Sequence, residues 1–428
     1  MSDRTVSGGG RLRGEIRVPG DKSVSHRALI LGALADGTTQ ALGLAPGADV
    51  RSTRAMLEAL GVKISGAGAD AAVLGRGLGG LAAHGGELDA GNSGTTMRLM
   101  AGVLAGHDFL SRLTGDASLC RRPMERVAAP LRLMGATVEL SKEGTAPMTI
   151  VGGELKGREY HMPVPSAQVK SAVILAGLHA SGSTTVVERA ATRDHTEKML
   201  ALFGARAKRE GLAVTVEGGA RLTGTTVEVP GDPSSAAFWA VAAALAPGSE
   251  LAIRGVMANP TRTGYLKVLE RMGAGVTREK SAERAGEDCE DLIVRAGQLR
   301  ATNVPAAEVP GLVDEVPILA LAAACAEGTS RFHGLDELRH KESDRLAGIA
   351  ELLESFGAKA RVDGDDLLVE GTRRLQGATV ESLDDHRLAM TGFVAGFLAQ
   401  GETTVLDADC AIISYPSFYD DFVSRREP

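Results

Sequence analysis

The sequence predicts an α/β protein of two domains, each built from three copies of one strand–helix unit. Three observations carry this. One Ala/Leu-rich phrase recurs six times, each time followed by Gly and a Thr/Val-rich run. A second phrase, an amphipathic helix closed by Gly, interleaves with the first in constant order. Of the 428 residues, 54 are glycine and only 3% are aromatic, so helices must pack closely through Ala and Gly rather than around large rings.

The first phrase begins at Val18 (VPGDKSVSHRALILGALADGTT), Gly91 (GNSGTTMRLMAGVLAG), Val164 (VPSAQVKSAVILAGLHASGSTTV), Val229 (VPGDPSSAAFWAVAAALAPGS), Val309 (VPGLVDEVPILALAAACAEGTS) and Asp384 (DDHRLAMTGFVAGFLAQGETTV). The copies are about 65 to 80 residues apart. Their helices are apolar almost all round, the mark of a helix buried on every side. The second phrase ends at Gly61, Gly135, Gly204, Gly273 and Gly357, each expected to supply the left-handed turn after a helix. Its polar face suits the outside. The sixth unit is cut by the C-terminus. Its outer helix is expected in SFYDDFVSRREP and its strand partner in the N-terminal RLRGEIRV.

Six units are too many for one core, and three per domain is the natural division. VPGD occurs at Val18 and again at Val229, and both copies read as crossings of a hinge. The expected domains are residues 1–20 plus 231–428, closed by the N-terminal strand, and an inserted domain of residues 21–230, with the active site in the cleft between them.

Composition excludes several classes. A net charge of −7 opposes a nucleic-acid binder, which needs a basic face. The four cysteines, Cys120, Cys289, Cys325 and Cys410, are far apart, so neither a zinc site nor a disulfide framework is expected, and a cytoplasmic location is. The N-terminus lacks the apolar core of a signal peptide. Runs such as Ala236 to Pro247 are too short to span a bilayer. No P-loop, dinucleotide fingerprint, HExxH or GxSxG appears, so neither metal nor cofactor is expected.

The polar residues that open the apolar helices carry the chemistry: Lys22, Ser23 and Arg27; Asn92, Gly94 and Arg98; Ser166, Gln168 and Lys170; Ser234 and Ser235; Asp314 and Glu315; His386 and Arg387. Helix N-termini attract anions. Loops add Arg121, Arg122, Arg193, Lys341 and Arg345. Each feature alone has an ordinary reading. The serines cap helices, Arg126 and Lys198 belong to solvated faces, and Asp314 either caps its helix or acts as a base. Cations recurring at one phase of several repeats in an acidic chain point instead to substrates bearing phosphate and carboxylate.

The motifs GDKSVSHRALILGAL, GNSGTTMRL, GDASLCRRPM, PSAQVKSAVILAGL, TRDHTEKM, PGDPSSAAF, NPTRTG, DEVPILALAA, ELRHKESDRL and DDHRLAM together resemble the 3-phosphoshikimate 1-carboxyvinyltransferase (EPSP synthase) family. The resemblance runs from about residue 10 to residue 420 and is nearest to the branch that includes glyphosate-tolerant enzymes. It implies two inside-out α/β domains of three βαβαββ repeats each, an enolpyruvyl transferase-like fold. It also implies a monomer that transfers the enolpyruvyl group of phosphoenolpyruvate to the 5-hydroxyl of shikimate 3-phosphate, by addition and elimination, in aromatic amino-acid biosynthesis. The roles it implies are catalytic for Asp314 (base), Glu342 (acid) and Lys22. Shikimate 3-phosphate would be held by Lys22, Ser23, Arg27, Ser166, Gln168, Arg193, Asp314 and Lys341. Phosphoenolpyruvate would be held by Lys22, Asn92, Gly94, Arg122, Gln168, Arg345 and Arg387.

Two departures stand out. Ile413 precedes Ser414-Tyr415-Pro416 where some relatives have a phosphoenolpyruvate-binding Lys. Gly stands at residue 94, where tolerant relatives carry Ala, so glyphosate is expected to fit and inhibit. The rival from the sister family, a UDP-N-acetylglucosamine enolpyruvyl transferase, would need a reactive thiol ahead of the Arg-Pro step. Cys120 lies only two residues from Arg122 and reads as a loop thiol. A non-catalytic anion-binding protein of the same fold would not need both Asp314 and Glu342.

Overall fold

Every copy of the first phrase forms an inner helix and every copy of the second an outer one, as seen in a computed structural model that describes residues 2–372 and 374–428. The helices are α1 (Lys22–Leu34), α2 (Ala48–Ala59), α3 (Gly94–Leu104), α4 (Glu125–Met134), α5 (Ala167–His179), α6 (His195–Leu202), α7 (Pro233–Leu245), α8 (Gly264–Met272), α9 (Val316–Ala324), α10 (Arg345–Ser355), α11 (His386–Leu398) and α12 (Phe418–Arg425). The odd-numbered helices up to α11 are the apolar ones, and nearly all of their residues are buried. The five glycines that end the second phrase all have positive φ, from 81° at Gly357 to 117° at Gly135. That conformation costs an L side chain about 1–2 kcal/mol.

The chain divides into two compact units: Met1–Pro19, Gly231–Ala282 and Asp288–Pro428 form a terminal unit, and Gly20–Pro230 with Glu283–Glu287 form an inserted unit. The short piece was not expected. It is the tip of the hairpin between strands Gly275–Arg284 and Glu287–Arg295, turning through Ala285 and Gly286 at φ of 51° and 73°. Its anchor is Glu287, fully buried, with Oε1 2.7 Å from His195 Nδ1 and Oε2 2.6 Å from Lys198 Nζ. Lys198 therefore serves an internal ion pair, not the solvated face expected of it. Asp194, His195 and Glu287 bring donor atoms within 4.8 Å of one another, and the Lys198 ammonium supplies positive charge among them.

The unit repeat is a four-stranded sheet wrapped on its helices. Glu87–Asp89 runs parallel to Leu110–Thr114, which pairs antiparallel with Met148–Val151 and through it with Thr137–Glu139. Residues 159–217 and 303–370 repeat this order. The remaining sheets borrow strands across sequence. Thr226–Glu228, at the end of the inserted unit, opens the first sheet beside Thr38–Leu42. In the terminal unit Arg11–Ile16 runs parallel to Glu250–Met257 and so opens the fourth. This corrects part of the expected pairing of the sixth unit: RLRGEIRV does meet its C-terminal Arg426–Glu427, antiparallel at Arg11 and Leu12, but not its longer strand. That strand, Glu402–Leu406, pairs with Arg4–Ser7, a segment upstream of RLRGEIRV, because RLRGEIRV is already taken by the fourth sheet.

Close helix approach needs its small residues. At Gly102 a Cβ would come within 2.2 Å of the Ala172 carbonyl oxygen, so α3 and α5 meet backbone to backbone. The terminal unit adds rings instead. Trp239 stacks on Phe422 at 5.1 Å between centroids, and Phe393, Phe418 and Phe397 surround the pair.

Candidate active site

The expected site residues fall into two sets, one in each unit. In the inserted unit they gather at the N-termini of α1, α3 and α5. Asp21 caps α1 by accepting from Val24 N, Ser93 caps α3 and Ser166 caps α5. Lys22 Nζ lies 2.9 Å from Asp49 Oδ2 and stays a quarter exposed. Arg122 Nη2 donates to Asn92 Oδ1 at 2.7 Å, while Asn92 Nδ2 donates to Asp116 at 2.7 Å. Gln168 is oriented from both ends: Arg98 Nη1 donates to its Oε1 at 2.6 Å, and its Nε2 donates to Thr95 Oγ1 at 3.0 Å. A Cβ on Gly94 would stand 2.8 Å from Arg98 Nη1 and 3.5 Å from Arg122 Nη1. Glycine there keeps both guanidinium groups close to the start of α3.

Behind this rim runs a chain of hydroxyls. His26 Nδ1 is 2.7 Å from Thr53 Oγ1, which is 2.7 Å from Thr96 Oγ1, which donates to Ser93 Oγ at 2.8 Å. Burial, aided by Lys22 and Arg27, pushes His26 down to about 3, so the chain is neutral. Arg27 is almost wholly buried and donates to Thr196 Oγ1 (2.7 Å), Ser171 Oγ (2.7 Å) and the Ser23 carbonyl (2.9 Å). Ser23 and Arg193 are half-buried, Arg193 just ahead of α6. Lys170 departs from its expected place among the anion-facing residues. It is fully buried and paired with Glu188 and Glu197 at 3.2 and 2.8 Å.

In the terminal unit the second set surrounds the starts of α7, α9, α10 and α11. Asp314 and Glu315 belong to a 3₁₀ turn, Val313–Glu315, ahead of α9, and that helix has no side-chain cap. The capping reading of Asp314 therefore falls, and its carboxylate serves elsewhere. Lys341 Nζ and Arg345 Nη1 lie 3.6 and 3.9 Å from its Oδ1. Arg345 is 1% exposed and also grips Asp385 through Nε (2.8 Å) and Nη2 (3.1 Å), and Glu342 Oε2 through Nη2 (2.5 Å). One guanidinium thus bridges the residues expected to be base and acid. Burial alone would raise the pKa of Asp385, but the Arg345 charge outweighs it and holds the carboxyl below its ordinary value. Arg387 Nη1 donates to the Asp314 carbonyl at 2.8 Å and stands 3.7 Å from Glu315.

Sequence reading missed four residues that organise these sets: Asp49, Arg262, Glu315 as a partner of Arg387, and Asp385. Arg262 stood in the quoted NPTRTG, and its Nη2 donates to both Asp232 and Ser234 at 3.0 Å. Asp385 stood next to His386, at the N-cap position its helix required. Asp49 left no signal, because its link to Lys22 exists only across two helices. Ile413 ends a 3₁₀ helix, Ala408–Ile413, and supplies no cation. Cys120 Sγ donates to the Gly115 carbonyl at 3.4 Å, as a loop thiol does. Among the described residues no helix is long and apolar enough to cross a membrane.

Comparison with known proteins places the chain in a family. The model of the family described as EPSP synthase (3-phosphoshikimate 1-carboxyvinyltransferase) matches residues 6–422. A protein named 3-phosphoshikimate 1-carboxyvinyltransferase from Gloeobacter violaceus is 51% identical over 420 residues, 97% of each chain. One of the same name from Bacillus cereus is 46% identical over 423 residues, covering 98% of this chain and 99% of the relative. A solved structure of EPSP synthase from Acinetobacter baumannii is similar with a TM-score of 0.90 and 41% identity, over 99% of this chain and 98% of that one.

Proposed function

Because the chain belongs to the EPSP synthase family, we propose that it transfers the enolpyruvyl group of phosphoenolpyruvate to the 5-hydroxyl of shikimate 3-phosphate and releases phosphate. The observation that carries the residue assignment is the convergence of Asp314 and Glu342 on the buried Arg345 guanidinium, with Lys341 beside Asp314.

Asp314 takes the proton of the 5-hydroxyl as its oxygen attacks C2 of phosphoenolpyruvate. Glu342 gives a proton to the C3 methylene, which leaves a tetrahedral intermediate carrying a methyl, a carboxylate, the phosphate and the new ether. In the second step a methyl proton returns to the protein, the C2–C3 double bond reforms and phosphate departs. Lys22, Asn92, Gly94, Arg122, Arg345 and Arg387 hold the carboxylate and phosphate of phosphoenolpyruvate, arginine suiting both by its planar fork. The shikimate phosphate falls to Ser23, Arg27, Ser166, Gln168, Arg193 and Lys341. An anion arriving at Arg345 competes with Glu342 for the same guanidinium and thereby frees the acid. Each unit supplies only part of what the reaction needs, so the proposed reaction requires both sets. The same reading makes the enzyme a cytoplasmic monomer. It also makes glyphosate an inhibitor competing with phosphoenolpyruvate beside Gly94.

The test is phosphate release on mixing shikimate 3-phosphate with phosphoenolpyruvate, compared with Asp314→Ala. Release by the native enzyme and its loss in the variant are expected. No release by the native enzyme overturns the reading.

A further inference from the structure

Glu315 is a buried carboxyl to which the reaction scheme gives no task. It is 1% exposed, in the turn that also carries Asp314. Its Oε1 accepts a hydrogen bond from Ser234 Oγ at the start of α7, and Arg262 Nη2 holds that serine from the other side at 3.0 Å. Its Oε2 is buried with no hydrogen-bond partner among the described residues. Burial, with Asp314 next to it, pushes its pKa up, and the nearby Arg387 charge opposes this.

Arg387 shows what the buried charge is for. Among the described residues Glu315 is the one carboxylate within 4.0 Å of its guanidinium. Both protein contacts fall on the same nitrogen: Nη1 donates to the Asp314 carbonyl at 2.8 Å and faces Glu315 at 3.7 Å. Nε and Nη2 make no hydrogen bond with the described residues. An arginine held at one nitrogen and open at the other two presents a ready pair of donors, the geometry that carboxylate and phosphate accept bidentately. An unheld arginine would have to give up rotamer freedom each time a ligand arrived.

We propose that Glu315 is a positioning residue for Arg387, fixing Nη1 so that Nε and Nη2 form a preset fork for phosphoenolpyruvate. Ser234 and Arg262 in turn fix Glu315. The inference rests on the proposed function, in which Arg387 binds phosphoenolpyruvate.

The test is steady-state kinetics of Glu315→Gln, which keeps the shape and the Ser234 contact and removes the charge. The expected result is a rise in KM for phosphoenolpyruvate of about tenfold, with KM for shikimate 3-phosphate and the unfolding midpoint unchanged and kcat altered far less. Ser234→Ala should give the same signature more weakly, and it carries the test if Glu315→Gln does not fold. In an Arg387→Gln background Glu315→Gln should add nothing, since its effect passes through Arg387. Unchanged KM for phosphoenolpyruvate in both variants overturns the inference, as does an equal rise for both substrates. If Arg387→Gln itself leaves that KM unchanged, it is the assignment of Arg387 that fails.

Discussion

The inserted and terminal units are built on the same repeat, yet they stabilise the starts of their inner helices in opposite ways. In the inserted unit a neutral network runs through the starts of α1 and α3, from His26 through Thr53 and Thr96 to Ser93, with Ser171 and Thr196 around Arg27. Its ion pairs, Lys22 with Asp49 and Lys170 with Glu188 and Glu197, stand apart from that network. In the terminal unit the polar residues at the helix starts are joined by buried opposite charges, with Arg345 among Asp314, Glu342 and Asp385, and Arg387 beside Glu315. The difference teaches a division of labour. A neutral scaffold leaves Lys22 and Arg122 as cations at a rim, suited to holding anions. A lattice of paired charges keeps carboxyl groups close to cations, where a proton can be taken up or given.

This contrast is broken most sharply at Asp314. If the paired charges serve proton transfer, Asp314→Ala should lower kcat by about 10²–10⁴-fold with little change in stability; a fall confined to KM would mean that the terminal unit only binds. The next largest effect is on folding. Asp385→Ala leaves Arg345 buried and poorly compensated, and removing one partner of such a pair destabilises by about 3–5 kcal/mol. Lys22→Ala breaks a more exposed pair and should cost no more than about 1 kcal/mol. The single tryptophan, Trp239, is buried in the terminal unit, so its fluorescence during urea unfolding reads the Asp385 effect directly. Equal losses in the two variants would erase the distinction between the units.

Much of this was legible in the sequence for a physical reason. The repeat shows because inner helices buried on all sides must be apolar all round, and outer helices must end in a left-handed turn that glycine tolerates. Gly61 and Gly357 therefore appear in the sequence as they appear in the backbone, at φ of 85° and 81°. The helix starts could be read because polar residues are costly there without a task. What remained hidden was pairing at a distance. Nothing local in Asp49 tells of Lys22, nothing in Glu287 tells of His195, and Arg4–Ser7 looks no more like a sheet partner than RLRGEIRV. Lys170 looked like an anion-facing residue and Lys198 like a surface cation because the carboxylates that pair with them lie 18 and 89 residues away.

The cores differ as well, and Gly102 tests that difference. Three aromatic residues, Phe109, Tyr160 and Phe203, lie between residues 20 and 230, and the core there depends on helices meeting at small residues. Gly102→Ala forces a methyl onto the Ala172 carbonyl and should destabilise the inserted unit by about 1–3 kcal/mol. Trp239 fluorescence should not report this loss, while helical circular dichroism should. A variant as stable as the native chain would show that α3 and α5 can part without penalty.

Acid should separate the units without any mutation. Burial pushes His26, His107, His179 and His195 down, His26 and His179 to about 3, and all four lie in the inserted unit. An imidazole in the unfolded chain takes its proton near pH 6.5, but these resist it while folded. Their contribution to stability is complete above about pH 6.5 and is lost as the pH falls towards the folded values, at up to about 1.4 kcal/mol per pH unit for each. In the terminal unit the lowered carboxyls Asp366, Asp385 and Asp409 act in another window, since their stabilisation is lost only below about pH 4. The raised pKa of Glu315 has the opposite sign, so acidification relieves that group. Between pH 7 and pH 5 the amides of α1 and α5 should therefore lose protection from hydrogen exchange, beyond the change in intrinsic rate, while the urea midpoint read by Trp239 stays level. His26→Gln should flatten the slope seen at α1. A Trp239 midpoint that falls as steeply as α1 protection would show that acid strikes both units alike, and the contrast between neutral and charged scaffolds would not govern how the protein responds to pH.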